Sequence, residues 1–181
     1  MFSYICKVLT FKIFKFKIKG DFPFNKKLVL LVFPHTSNWD FIIAIGIRRF
    51  LREEINFVIK KEYYNFFTTN FFNSLGGRPI DRSAKMNSVE KISKMFEKNE
   101  VFRIAIAPEG TRKLADDWKT GFYHIAVMAD CKILPVSFDW KNREIKIFKL
   151  FSPTLSLAND LTFLKSLFKG VKGKIPENSK L

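Results

Sequence analysis

Cysteine and histidine are scarce. Cys6 and Cys131 are the only cysteines in 181 residues. They form no CxxC pair, so there is no disulfide framework to build on, and the chain reads as one of a reducing, intracellular compartment. With only His35 and His124 beside them, a structural zinc site is not expected, and no metal is assigned. No window holds 18 apolar residues free of charge, which predicts no membrane-spanning helix. The start lacks a small-residue cleavage site after an apolar stretch, so no secretory signal is read. There is no G-x-S-x-G nucleophile elbow, since Ser74 lacks the first glycine. Acids are few as well: 17 Asp+Glu stand against 32 Lys+Arg, a formal charge of +15. That balance suits a polyanionic partner, either nucleic acid or an anionic membrane face, although a Lys-biased composition supplies part of the excess. Aromatic-basic nucleic-acid signatures are missing, which favours the membrane.

What is present predicts an α/β fold. A hydrophobic fraction of 47% over this length fits one domain, residues 1–181, with a proper core. Leu28 to Phe33 is a continuous apolar run, the pattern of a strand buried on both faces, and Pro34 ends it. Thr36, Ser37 and Asn38 are helix-capping residues before the apolar body Phe41 to Ile47. Further strands are read at 55–60, 79–80, 101–107 (interrupted by Arg103), 133–138 and 145–150. Helices are read at 63–75, from Ser83 onward, at 122–129 and at 161–168, before a polar, frayed tail at 170–181. Phe14 to Lys19 alternates phenylalanine or isoleucine with lysine, as in a half-buried edge strand. Residues 2–13 are greasy nearly all round, which fits either a membrane-surface helix or one docked on the protein itself. Strands alternating with helices predict a single-domain mixed, mainly parallel sheet with helices on both faces.

Polar clusters follow three of these strands. His35 stands at a strand-to-helix corner and Asp40 on the first helical turn. The carboxylate can hold one imidazole nitrogen and leave the other as a base; equally, Ser37 to Asp40 fits a capping box, with Asp40 only capping the helix. The others are Asp81-Arg82 and Glu109-Gly110-Thr111-Arg112. Gly110 permits a left-handed turn. Arg82 and Arg112 are rigid donor forks suited to phosphate; taken singly, each is equally a surface arginine. Parallel strands would bring all three clusters to one sheet edge.

In order and spacing, His35-Thr-Ser-Asn-Trp-Asp40, Gly77-Arg-Pro-Ile-Asp-Arg82, Pro108-Glu-Gly-Thr-Arg112 and Ile133-Leu-Pro-Val136 resemble the four blocks of the glycerophospholipid acyltransferase superfamily, typified by 1-acylglycerol-3-phosphate acyltransferases. The resemblance spans roughly residues 15 to 140. It departs from the family at Pro34, Pro79 and Lys113. It implies a glycerol-3-phosphate acyltransferase-like fold with His35 and Asp40 catalytic. Arg82, Glu109, Gly110, Thr111 and Arg112 would bind the acceptor, with Glu109 orienting the arginines or the glycerol, and Pro135 would line the acyl chain. The implied activity moves a fatty acyl group from coenzyme A or acyl-carrier protein to a lysophospholipid, lysophosphatidate first, with no bound cofactor. The implied location is peripheral, at the cytoplasmic membrane face. Rival readings are a different lipid acceptor, such as an amino lipid or glycolipid, and a non-catalytic basic module. His124 and the aromatics of 63–72 are expected to pack in the core.

Overall fold

The computed structural model describes residues 1–80 and 85–179, the side chains of 85–87 excepted; the predicted Asp81-Arg82 cluster and the Ser83 cap lie outside them. The strands are β1 (Lys17–Lys19), β2 (Lys27–Phe33), β3 (Asn56–Lys60), β4 (Gly77–Ile80), β5 (Phe102–Ile106), β6 (Lys132–Asp139) and β7 (Glu144–Ile147). The helices are α1 (Phe2–Val8), α2 (Asn38–Leu51), α3 (Thr69–Leu75), α4 (Lys85–Lys98), α5 (Gly121–Met128) and α6 (Leu157–Ser166). The strands form one sheet in the order β1-β7-β6-β2-β5-β3-β4. The five from β6 to β4 run parallel, and β7 with β1 runs against them.

Period-2 alternation explains the layering. In β2, Val29, Leu31 and Phe33 join Ile104, Ile133, Phe96, Phe122 and Leu164 in the larger core, the face covered by α4, α5 and α6. Leu28 and Leu30 join Leu134, Val136, Phe138 and, from α2, Ile43 and Ile47 on the other face. The expected mainly parallel sheet, covered on both faces, is what forms. Arg103 interrupts the apolar pattern of β5 yet is buried, because its guanidinium pairs with Glu53 at 2.7 Å and its Nε donates to the Asn25 carbonyl at 2.7 Å.

At the start of the chain, α1 continues as a turn of π-helix, Leu9–Ile13, and docks on α2. Cys6 and Thr10 are fully buried there. The helices cross at Gly46, where a Cβ would stand 2.1 Å from Thr10 Oγ1 and 2.6 Å from the Cys6 carbonyl. Of the two readings of residues 2–13, docking on the protein is the one seen, with Tyr4, Ile5 and Ile13 left exposed.

Several expectations need correction. The strand predicted from Phe14 is only Lys17–Lys19, though its lysines do face solvent at the sheet edge. The helix expected at 63–75 begins only at Thr69. Asn65 Oδ1 accepts from the Phe67 and Thr68 amides at 3.0 Å each, and that local turn outcompetes the helix. Phe66 and Phe67 are consequently 90% and 85% exposed rather than core. His124, expected to pack, is exposed on α5. β7 stops at Ile147 instead of 150. α6 starts at Leu157 instead of 161, stabilised by Asp160, which accepts from the Thr154 amide and hydroxyl at 2.7 Å each. The tail is not frayed up to Ser179: it folds back over the C-terminal end of β2.

Candidate active site

β2 ends where Pro34 removes a donor, after a cis Phe33–Pro34 peptide. The turn to α2 is closed by side chains. Ser37 Oγ accepts from the Trp39 amide at 3.3 Å, and Asp40 Oδ2 accepts from the amides of Thr36 and Ser37 at 2.8 Å each. This is the predicted capping box with aspartate in its acidic position. The same Oδ2 lies 3.3 Å from Nδ1 of His35, and Oδ1 accepts from the Trp140 indole at 2.6 Å. One carboxylate thus caps the helix and also faces the imidazole, the two positions posed as alternatives by the sequence. Asp40 is 2% exposed and its acceptor sites are occupied by fixed donors, so it cannot swing away. The His35 ring is 29% exposed. Nε2 is the ring nitrogen that does not face Asp40.

The next parallel strand supplies the second half of the site. After β5, Pro108 ends the ladder and Gly110 turns with φ +64°. Glu109 is 3% exposed, and its Oε1 accepts from the His35 backbone amide at 2.8 Å. Burial pushes its carboxyl above the usual carboxylate range, and the His35 amide opposes that shift. Oε2 is buried with no partner among the described residues, beside a cavity of about 30 Å³ also lined by Trp118, Lys165 and Asn178. Arg112 is exposed and its Nη1 donates to Asn38 Oδ1, which brings its guanidinium to the His35 corner. Thr111 is exposed, its Oγ1 accepting from the Lys113 amide at 3.2 Å.

His35, Asp40, Glu109, Gly110, Thr111 and Arg112 therefore gather at one sheet edge. Glu109, expected to orient the arginines or the glycerol, uses Oε1 on the His35 backbone amide and keeps Oε2 without a partner among the described residues. Pro135 sits inside β6 opposite Leu31, short of that edge, its carbonyl accepting from the Phe148 amide at 3.0 Å. Arg82 lies outside the described residues. Sequence reasoning missed Trp140 and the segment 171–179. The one hint for Trp140 was chemical: a buried indole N–H requires an acceptor.

The Acyltransferase family model matches residues 15–139, a span that holds every block around this corner. The chain belongs to this acyltransferase family, the 1-acylglycerol-3-phosphate acyltransferase type. A search of curated proteins returned no match.

Proposed function

We propose that this acyltransferase moves a fatty acyl group from a thioester donor, acyl-coenzyme A or acyl-carrier protein, to the hydroxyl of lysophosphatidate, giving phosphatidate. The observation that carries the reading is the hold on His35 by two buried carboxylates: Glu109 fixes its backbone amide and Asp40 faces its Nδ1. Nε2 takes the proton of the acceptor hydroxyl as that oxygen attacks the thioester carbonyl. The new acyl–oxygen bond forms, the acyl–sulfur bond breaks, and the imidazolium returns the proton to the departing sulfur. Asp40 stabilises the imidazolium as the acid of a triad does, while the substrate hydroxyl replaces the serine. Arg112 is the fork for the acceptor's phosphate, a role that the family resemblance also assigns to Arg82. The test is thiol release from acyl-coenzyme A by the purified protein. Release should require lysophosphatidate, and intact mass after donor alone should be unchanged. An acyl adduct on the protein would contradict direct transfer.

The reading also puts the protein on an anionic membrane. Among the described residues no helix is long and apolar enough to span one. Support comes from the exposed side chains of Tyr63, Phe66, Phe67 and Phe71, with exposed Lys60 and Lys61, on the segment that runs from the C-terminal end of β3 into α3. That end of the sheet is also the His35 end, because β2, β5 and β3 are parallel. Exposed lysines contribute about 1 kcal/mol each near an anionic leaflet. The protein should sediment with phosphatidylserine-containing vesicles and be partly released by salt. Phe66→Glu with Phe67→Glu should cut vesicle binding by about tenfold, since two buried rings are worth more than 1.4 kcal/mol. Equal sedimentation with neutral vesicles, or none with either, would contradict this placement.

A further inference from the structure

The segment after α6 returns across the catalytic corner. The Lys172 carbonyl accepts from the Trp140 amide at 2.8 Å. The Ile175 amide donates to Thr36 Oγ1 at 3.2 Å, and Asn178 Nδ2 donates to the Arg112 carbonyl at 3.0 Å. Gly173 lies so close that a Cβ there would stand 2.5 Å from Thr36 Oγ1 and 3.2 Å from Pro34 Cγ. Ser179 pins the segment on itself, donating to the Pro176 carbonyl at 2.8 Å and accepting from the Gly173 amide at 3.1 Å. The Lys174 ammonium stands 4.6 Å over the Trp140 ring, the same indole that donates to Asp40. Residues 171–179 thus engage the His35–Asp40 turn at Thr36, the indole behind Asp40, and the backbone of the Arg112 loop. Residues 171–179 themselves lie beyond the span that the family match covers.

The sheet alone does not set this geometry. β2 and β5 are paired up to Leu31 and Ile106, but His35 and Arg112 stand on the loops beyond. Acyl transfer needs the base, the acceptor hydroxyl and the phosphate fork in register, and a misplacement of ~1 Å can cost ~10²-fold. We propose that residues 171–179 are a strap that sets the His35–Asp40 corner against the Glu109–Arg112 loop, with Thr36 and Asn178 as positioning residues. Thr36, 2% exposed, carries both connections of the corner: its amide donates to Asp40 and its hydroxyl receives the strap. The inference rests on the reading of His35 and Asp40 as the catalytic pair.

The experiment compares the wild-type chain, Thr36→Val, Thr36→Ser, Asn178→Ala, the double variant Thr36→Val with Asn178→Ala, and His35→Ala with lysophosphatidate and acyl-coenzyme A, measuring kcat, both KM values and the unfolding midpoint. Valine keeps the shape of Thr36 and its backbone bond to Asp40 but removes the acceptor for Ile175; serine keeps that acceptor. Thr36→Val and Asn178→Ala should each lower kcat by about 10-fold with the donor KM unchanged, while Thr36→Ser stays close to wild type. Acting through one strap, the two losses should not multiply in the double variant. If Thr36→Val fails to fold, Asn178→Ala, a change at a half-buried residue outside every helix and strand that forms the core, decides alone. Wild-type kcat in Asn178→Ala, or equal losses in Thr36→Ser and Thr36→Val, would overturn the strap. Retained activity in His35→Ala would instead remove the catalytic pair on which it rests.

Discussion

Replacing His35 with alanine should lower the acyl-transfer rate by ~10²–10⁴-fold, the usual contribution of a positioned general base. The fold should survive, because the ring is partly exposed. Asp40→Asn should behave differently. Asp40 accepts from Thr36, Ser37 and Trp140 and faces His35. An amide offers one acceptor oxygen where two are in use, so its NH₂ must meet an N–H donor. Activity should fall by orders of magnitude through loss of imidazole orientation, and stability should fall by about 1–3 kcal/mol for the unsatisfied buried donor. Rate assays paired with thermal melts check both. An Asp40→Asn protein that melts early yet turns over at the wild-type rate would make Asp40 a helix cap and nothing more.

The second large effect concerns the phosphate. Arg112 is exposed and held at the His35 corner through Asn38. A charge-assisted bond to a phosphate monoester contributes roughly 1.5–3 kcal/mol. Arg112→Ala should therefore lower kcat/KM for lysophosphatidate by about 10- to 100-fold. Part of the loss should appear in kcat, because phosphate binding aligns a hydroxyl remote from it. Lysine should rescue poorly, lacking the planar fork. Monoacylglycerol, which has no phosphate, should be a slow acceptor that the substitution leaves nearly untouched. Equal damage to both acceptors would mean that the phosphate does not select the substrate, and an amino lipid or glycolipid would then become the better acceptor.

Much of this site was legible in the sequence because its parts are local. A strand that ends at a proline, a capping serine and an aspartate on the first helical turn lie within Leu28 to Asp40, and the turn forms from its own side chains. Parallel strands then bring Glu109 and Arg112 to the same edge, which needs only the β-α alternation. What escaped was decided by tertiary contact. Trp140 reaches Asp40 across 100 positions of sequence, and no spacing rule foretells such a bond. Ile175 and Asn178 sit in a polar stretch whose composition reads as loose, yet their partners, Thr36 and the Arg112 carbonyl, wait at the site. The exposed Phe66 and Phe67 failed in the opposite direction. Aromatic content argued for core, but the Asn65 turn withdrew both rings from it.

Mass spectrometry of the lipids formed from an equimolar mixture of lysophosphatidate, other lysophospholipids and monoacylglycerol, with acyl-coenzyme A and acyl-carrier protein offered as donors, tests the account most directly. Phosphatidate should accumulate first with wild type and be absent with His35→Ala. Acylation of every acceptor but lysophosphatidate, or phosphatidate formed equally by His35→Ala, would contradict it.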